Sequence, residues 1–196
     1  MTKTKTNDPK TSVMQPNKLF YKMLSAYHQQ AKVNRFAENH GHPIVGLDPG
    51  ETTGYAYWNP QDSTFTLRQL KTKSPEEGYS NILNQMRQDL NYDFEGLEIV
   101  CEDYRVYAWK ADTHSWAGLH TPQLIGAIKI MAMLQLLPLH FQMAQEAKSW
   151  ATDDQLKSWG VYDPGQRHAR DASRHIIRHM FFYTGKADTP EPEATK

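Results

Sequence analysis

Two short apolar runs that each end in an acid constrain this chain more than any other feature. Pro43 to Asp48 reads PIVGLD and Leu97 to Glu102 reads LEIVCE. Both have the pattern of a buried strand. After the first run, Pro49 and Gly50 turn the chain. Gly54 to Trp58 (GYAYW) and Thr64 to Leu70 (TFTLRQL) then alternate apolar and polar residues as strands do. Three sequential strands in a meander are therefore expected. Pro75 to Leu90 has helical texture, Thr121 to Leu137 is a strongly apolar helix, and a short strand is expected near Leu139 to Met143. A helical piece around Asp154 to Trp159 and a last helix from about Gln166 to Tyr183 follow, with Gly160, Pro164 and Gly165 marking the loop between them. The order βββαβαβαα is that of a mixed α/β layer.

The 196 residues suit one domain with a short appendage. Residues 1–16 (MTKTKTNDPKTSVMQP) lack an apolar period and read as a disordered arm, as does the tail from Ala187. Leu19, Phe20, Met23, Leu24, Tyr27, Ala31 and Phe36 recur at roughly helical spacing, which predicts an appended helix between Asn17 and about His40. The expected division is a basic extension over 1–40, a core domain over 41–185 and an acidic tail over 186–196. Cys101 is the single cysteine and the N-terminus has no apolar signal core, so a reducing, cytoplasmic setting is expected. The longest apolar stretch, Ile125 to Phe141, is interrupted by Lys129, Gln135 and Pro138, whereas a spanning helix needs about 20 mostly apolar residues.

Twenty-two basic residues balance twenty-two acids, so bulk charge gives no argument for or against an acidic partner. Charge is nevertheless segregated. Residues 1–40 carry seven Lys and Arg against two acids, and residues 76–103 carry eight acids against one Arg. Segregation of this kind suits a nucleic-acid-binding face.

Asp48 sits at a strand end, rigidly placed by the turn that follows it. A carboxylate buried there is costly unless paired or metal-bound, which points to a cation, although Asp-Pro-Gly is also a good turn sequence on its own. The small and hydroxyl residues Gly50, Thr52, Thr53 and Gly54 also admit a phosphate-loop reading like that of actin-like ATPases. Those proteins clasp the nucleotide between two domains, more than a core of this size supplies. At the end of the second run, Glu102 and Asp103 face opposite sides if the strand continues, and Glu102 is the better partner for Asp48.

The last helix, QRHARDASRHIIRHMFFY, divides into stripes about 100° apart. Ala169, Ala172, Ile176 and Met180 form a core face. His168, Asp171, His175 and His179 form the next stripe, and Arg167, Arg170, Arg174 and Arg178 the one beyond. His168 and Asp171 are a candidate ligand pair when counted with Asp48 and Glu102. His175 and His179 have an HxxxH spacing that can hold zinc, but a solvated or DNA-facing stripe is the preferred reading. The arginine row reads either as a phosphate-binding or as a plain solvated face.

The ordered set DPGETTGYAYW, VCE, QLIGAIKIM and HARDASRHII resembles the RuvC-type Holliday junction resolvases of the RNase H-like (retroviral integrase) superfamily, most closely the phage-encoded relatives, over about residues 43–183. The resemblance implies an α/β RNase H-like fold with a five-stranded mixed sheet flanked by helices. It implies a site holding two Mg²⁺ or Mn²⁺ ions through Asp48, Glu102, His168 and Asp171, with Lys148, in the short match AQEAK, as a further catalytic basic residue. It also implies endonucleolytic cleavage of branched DNA, in a bacterial or phage-infected cell, by a homodimer that presents two sites to a two-fold junction. The basic N-terminal extension and the sequence Glu102-Asp103-Tyr104 depart from the family pattern.

In YRVYAWK, aromatic and cationic residues interleave. Tyr104, Arg105, Tyr107 and Lys110, with Arg167, Arg170 and Arg174, are the expected DNA contacts, aromatics stacking on unpaired bases and cations binding phosphate. The loop aromatics equally suit packing against a neighbouring helix. The alternatives to a junction endonuclease are an RNA or RNA–DNA hybrid nuclease on the same fold, a non-catalytic DNA-binding module, and an actin-like ATPase fragment.

Overall fold

The computed structural model describes residues 10–30, 41–104 and 119–182. In chain order the elements are β1 (Thr11–Met14), α1 (Lys18–Gln30), β2 (Ile44–Asp48), β3 (Thr52–Asn59), β4 (Thr64–Lys71), α2 (Pro75–Asp89), β5 (Glu98–Asp103), α3 (His120–Leu134), β6 (Leu139–Met143), α4 (Ala144–Trp150), α5 (Asp153–Trp159) and α6 (Arg167–Phe182). The strands form one sheet in the order β1-β4-β3-β2-β5-β6. The expected meander is present as the antiparallel set β2, β3 and β4. β5 and β6 are added in parallel to β2. Parallel neighbours need long crossovers, and the segments carrying α2 and α3 supply them.

Every residue of β2 is buried, because the sheet is covered on both faces. Side chains alternate between the two covers. Ile44, Ala56, Trp58, Phe65, Leu67 and Val100 join α1, α5 and α6 on one face. Val45, Leu47, Tyr55, Tyr57, Leu70, Ile99 and Cys101 join α2 and α3 on the other. Alternation also places Gly46 and Asp48 of β2, and Glu98 and Glu102 of β5, on the α6 side.

Two expectations are corrected at the N-terminus. The arm is not disordered over its whole length. Thr11–Met14 pairs antiparallel with β4 and makes a sixth strand where five were expected. The extension is also not separable at residue 40 from the core domain, since Phe20 and Leu24 of α1 are fully buried among Trp159, Ile177 and Phe181. Helical periodicity marks the face of α1, but it does not show that the core lacks a cover there. Residues 31–40, over which the helix was expected to continue, lie outside the described residues.

The seven-residue helix α4 has too few turns to show a period, and the sequence does not reveal it. α3 ends three residues earlier than its apolar run, because Leu136 takes a left-handed conformation (φ 53°) to reverse the chain into β6. Among the described residues no helix is long and apolar enough to cross a membrane.

A polar knot ties β1 to the loop that launches α6. Asp163 accepts hydrogen bonds from the Ser12 hydroxyl, the Gly165 amide (2.7 Å) and the Gln166 side chain (3.0 Å). Gln166 also donates to the Ser12 hydroxyl and to the Leu67 carbonyl. Burial opposes ionisation of Asp163, but these donors and Lys10 outweigh it and lower its pKa to about 2. Since the folded value lies below the unfolded one, the stabilisation is complete above about pH 5 and is lost as pH falls toward 2. Asp163→Asn should therefore lower the urea midpoint at pH 7 and flatten its fall between pH 5 and pH 3 relative to wild type.

Candidate active site

The site is assembled at the ends of two adjacent parallel strands. Leu47 of β2 pairs with Cys101 of β5, which sets Asp48 beside Glu102. The turn after Asp48 is closed from within, as the Thr53 hydroxyl donates to the Gly50 carbonyl (2.9 Å) and accepts from the Gly50 amide (3.3 Å). Thr53 is fully buried. With that hydroxyl engaged internally, the segment is a closed turn and lacks one of the donors that a phosphate loop would present.

Two glycines bring α6 down onto the strands. A Cβ on Gly54 would lie 2.0 Å from the His168 carbonyl oxygen, and one on Gly46 would lie 2.4 Å from that of Ala172. Only a residue without a side chain fits under the helix at these positions. The first turn of α6 is also held by the His168 amide, which donates to the Gln69 side chain at 2.9 Å. His168 and Asp171 thereby arrive over the ends of β2 and β5.

Asp48, Glu102, His168, Asp171 and Lys148 are brought together. His168 Nδ1 lies 2.9 Å from Asp48 Oδ2. Lys148 Nζ reaches from α4 to 3.2 Å from Asp171 Oδ2 and 4.0 Å from Glu102 Oε2. Burial raises the pKa of Asp48, and the charges of Glu102 and Asp171 push the same way, against the hydrogen bond from His168. That bond raises the pKa of His168. A buried carboxylate with other acids beside it is a setting a cation relieves.

Two side chains not assigned to the site by sequence complete it. Arg174 bonds to both Asp171 and Asp153, and its Nε donates to the Ala151 carbonyl at 2.7 Å. His175 is fully buried, with Nε2 3.2 Å from Glu102 Oε2 and Nδ1 3.2 Å from Gln142 Oε1. Because a carboxylate only accepts, Nε2 of His175 carries the hydrogen. Both residues lie on stripes evident in the sequence, at three and four residues after Asp171. What covers those stripes was not evident.

The arginine row and the histidine stripe are therefore corrected. Arg174 is buried and held by carboxylates, so it is not a DNA contact. Arg170 is also turned inward, donating to the Asp163 carbonyl (2.8 Å), pairing with Asp153 and stacking over Tyr162. Arg178 pairs with Glu146. The cause is α4 and α5, which pack along that side of α6 and leave Arg167 exposed. His175 and His179 are buried against the sheet rather than solvated. Tyr104 packs against the core on the α2 and α3 side. Arg105, Tyr107 and Lys110 lie outside the described residues.

The donors available to a metal here are the carboxylates of Asp48, Glu102 and Asp171, with His168 beside them. An oxygen-dominated set of this kind fits hard divalent ions. Among the described residues, the group with ligand atoms all within 4.8 Å of one another is a different one, Glu98, His140 and His179, at the other end of the sheet.

No protein-family model and no curated protein matches the sequence. Solved structures do match. Thermus thermophilus RuvC in complex with a Holliday junction substrate aligns with a TM-score of 0.53 and 16% identity, over 71% of this chain and 93% of that one. Another T. thermophilus RuvC structure aligns over the same shares at 0.43 and 16%. The yeast mitochondrial Holliday junction resolvase aligns at 0.40 and 15%, over 82% of this chain and 92% of that one. The first match shows that the chain shares the fold of that RuvC.

The close approach of α6 is open to direct test. Gly54→Ala forces the helix start away from β3 and should cost about 1–3 kcal/mol, the usual range for overpacking. Urea unfolding reads the loss, and the His168 imidazole signal in NMR should shift as its bond to Asp48 lengthens.

Proposed function

We propose that this chain is a metal-dependent endonuclease that resolves four-way or other branched DNA. The observation that carries this reading is that Asp48, Glu102 and Asp171 lie around His168 and Lys148 at the ends of β2 and β5, on a fold shared with RuvC. Asp48, Glu102 and Asp171, with His168, would hold two Mg²⁺ or Mn²⁺ ions. When bound, the ions supply Lewis-acid stabilisation of the charge that develops on the attacking and leaving oxygens.

The protein's own groups have separable tasks. Arg174 and His175 fix the orientations of Asp171 and Glu102, so that the carboxylates converge before substrate arrives. Asp48 holds His168 through Nδ1 and leaves Nε2 available on a ring whose side chain is 41% exposed. That nitrogen is the one His168 would offer to an ion, and the proton released as water attacks phosphorus passes to solvent. Lys148, 42% exposed beside two of the acids, is placed to bind a phosphate oxygen of the strand being cut. Water adds to phosphorus, the bond to the 3′ oxygen breaks and that oxygen is protonated, leaving a 5′-phosphate and a 3′-hydroxyl. Arg167 at the rim extends the phosphate-binding surface.

A two-fold junction needs two cuts, and a second copy of the chain would supply the second site. Ile130, Met133, Leu134 and Leu136 expose a contiguous apolar patch at the end of α3, the kind of surface that a partner subunit covers. Leu134→Glu should yield a monomer by light scattering and uncouple the two nicks.

Asp48→Asn and Asp171→Asn should each reduce cleavage of a four-way junction by at least 10³-fold in Mg²⁺ or Mn²⁺ while junction binding persists in gel shifts. Cleavage at the wild-type rate by either variant refutes the site. Comparing four-way junction, flap, RNA–DNA hybrid and linear duplex in the same assay separates junction resolution from a hybrid nuclease. Binding of junctions by the wild type without nicking in Mn²⁺ would favour a silent DNA-binding module.

A further inference from the structure

The end of the sheet opposite the acids holds a second constellation, with its own chemistry. Glu98 opens β5, His140 lies at the start of β6, and His179 is on the last turn of α6. His179 Nε2 lies 2.7 Å from Glu98 Oε2, and His140 Nε2 lies 3.3 Å from the same oxygen. His42, just before β2, sits with Nε2 2.8 Å from Glu98 Oε1. The His140 and His179 rings lie against each other, centroids 4.6 Å apart. Both histidines are buried and the Glu98 side chain is 12% exposed.

We propose that Glu98, His140 and His179 form a structural zinc site, with His42 as the positioning residue that fixes the carboxylate. Two imidazoles and a carboxylate are typical zinc donors and a poor set for Mg²⁺. Zn–N and Zn–O bonds near 2.0–2.1 Å at tetrahedral angles put ligand atoms about 3.3 Å apart. The three atoms already lie within 4.8 Å of one another, so they reach that spacing through small side-chain adjustments.

Charge supports the same reading. The Glu98 carboxylate faces three imidazoles, those of His140, His179 and His42, which offsets the cost of burying it. An open cleft of about 430 Å³, lined by His42, Gly96, Glu98, Gln135 and Pro138 among others, reaches the carboxylate side of the cluster. The ion would join β5, β6 and the end of α6, the same three elements whose other parts carry Glu102, lead into α4 with Lys148, and carry Asp171. It is distinct from the Mg²⁺ or Mn²⁺ of the proposed nuclease reaction.

The full-length protein, stripped with chelator, is titrated with Zn²⁺ and with Co²⁺ as the spectroscopic probe. One equivalent is expected to bind with an intense tetrahedral cobalt spectrum displaced by zinc, and to raise the melting temperature. Uptake should persist in Asp48→Asn/Asp171→Asn, fall at least 100-fold in His140→Gln and His179→Gln, and fall about 10- to 100-fold in His42→Gln. Zinc-edge X-ray absorption on the wild type keeps the test independent of how the variants fold. A four-coordinate shell with two imidazoles supports the site. No stoichiometric uptake, an all-oxygen six-coordinate shell, or uptake lost with Asp48 and Asp171 instead of His179 overturns it and leaves a hydrogen-bonded cluster without metal.

Discussion

Helix α6 lies close enough to the sheet that its backbone occupies the space where two side chains would be, and much of the molecule depends on that contact. Gly46 and Gly54 provide the room on the strands, and Ala169 and Ala172 on the helix keep the interface thin. A Cβ at either glycine would meet the helix backbone at 2.0–2.4 Å, so the helix would have to lift by about an ångström to restore ordinary contact. His168 would then leave Asp48, and Asp171 would leave the space beside Glu102. The chemistry proposed for the site is thus set by a packing constraint that contains no charged group.

Given that contact, the helix carries carboxylates and imidazoles into a buried environment, where each needs a partner. The chain answers with a relay of pairs along α6. His168 faces Asp48, Asp171 faces Lys148 and Arg174, His175 faces Glu102, and His179 faces Glu98. Glu98 and Glu102 lie on one face of β5, so a single strand serves both ends of the relay. Near α4 the pairs include the half-exposed His168 and Lys148, which suits exchange with a phosphate. Toward the other end they are buried and rich in imidazole, which suits a fixed structural role.

The N-terminal segment belongs to this architecture. β1 closes the edge of the meander beside β4, and α1 covers an aromatic surface formed by Trp159 and Phe181. Without it, the hydrogen-bonding groups along β4 and a large apolar area would meet solvent. The Ser12–Asp163–Gln166 knot links this cover to the loop that sets the start of α6. A segment that reads as an appendage therefore helps to position the helix that carries His168 and Asp171.

The sequence by itself determined the order of the central elements, the acids at the ends of β2 and β5, and the face of α6 that enters the core. These properties repeat with the period of a strand or a helix, or sit next to a turn, so local spacing specifies them. The pairing of His168 and Asp171 with Asp48 and Glu102 was legible because all four lie beside such local signals. Only the tertiary structure decided the environment of the other stripes. Arg170 and Arg174 read as a surface row, and His175 and His179 as a solvated stripe, since a helical wheel gives direction but not what lies in that direction. The neighbours that bury them come from α4, α5, β5 and β6, elements up to about eighty residues away. The sixth strand escaped for the same reason. Thr11–Met14 has no apolar period of its own, and the open edge of β4 supplies the partner that makes it a strand.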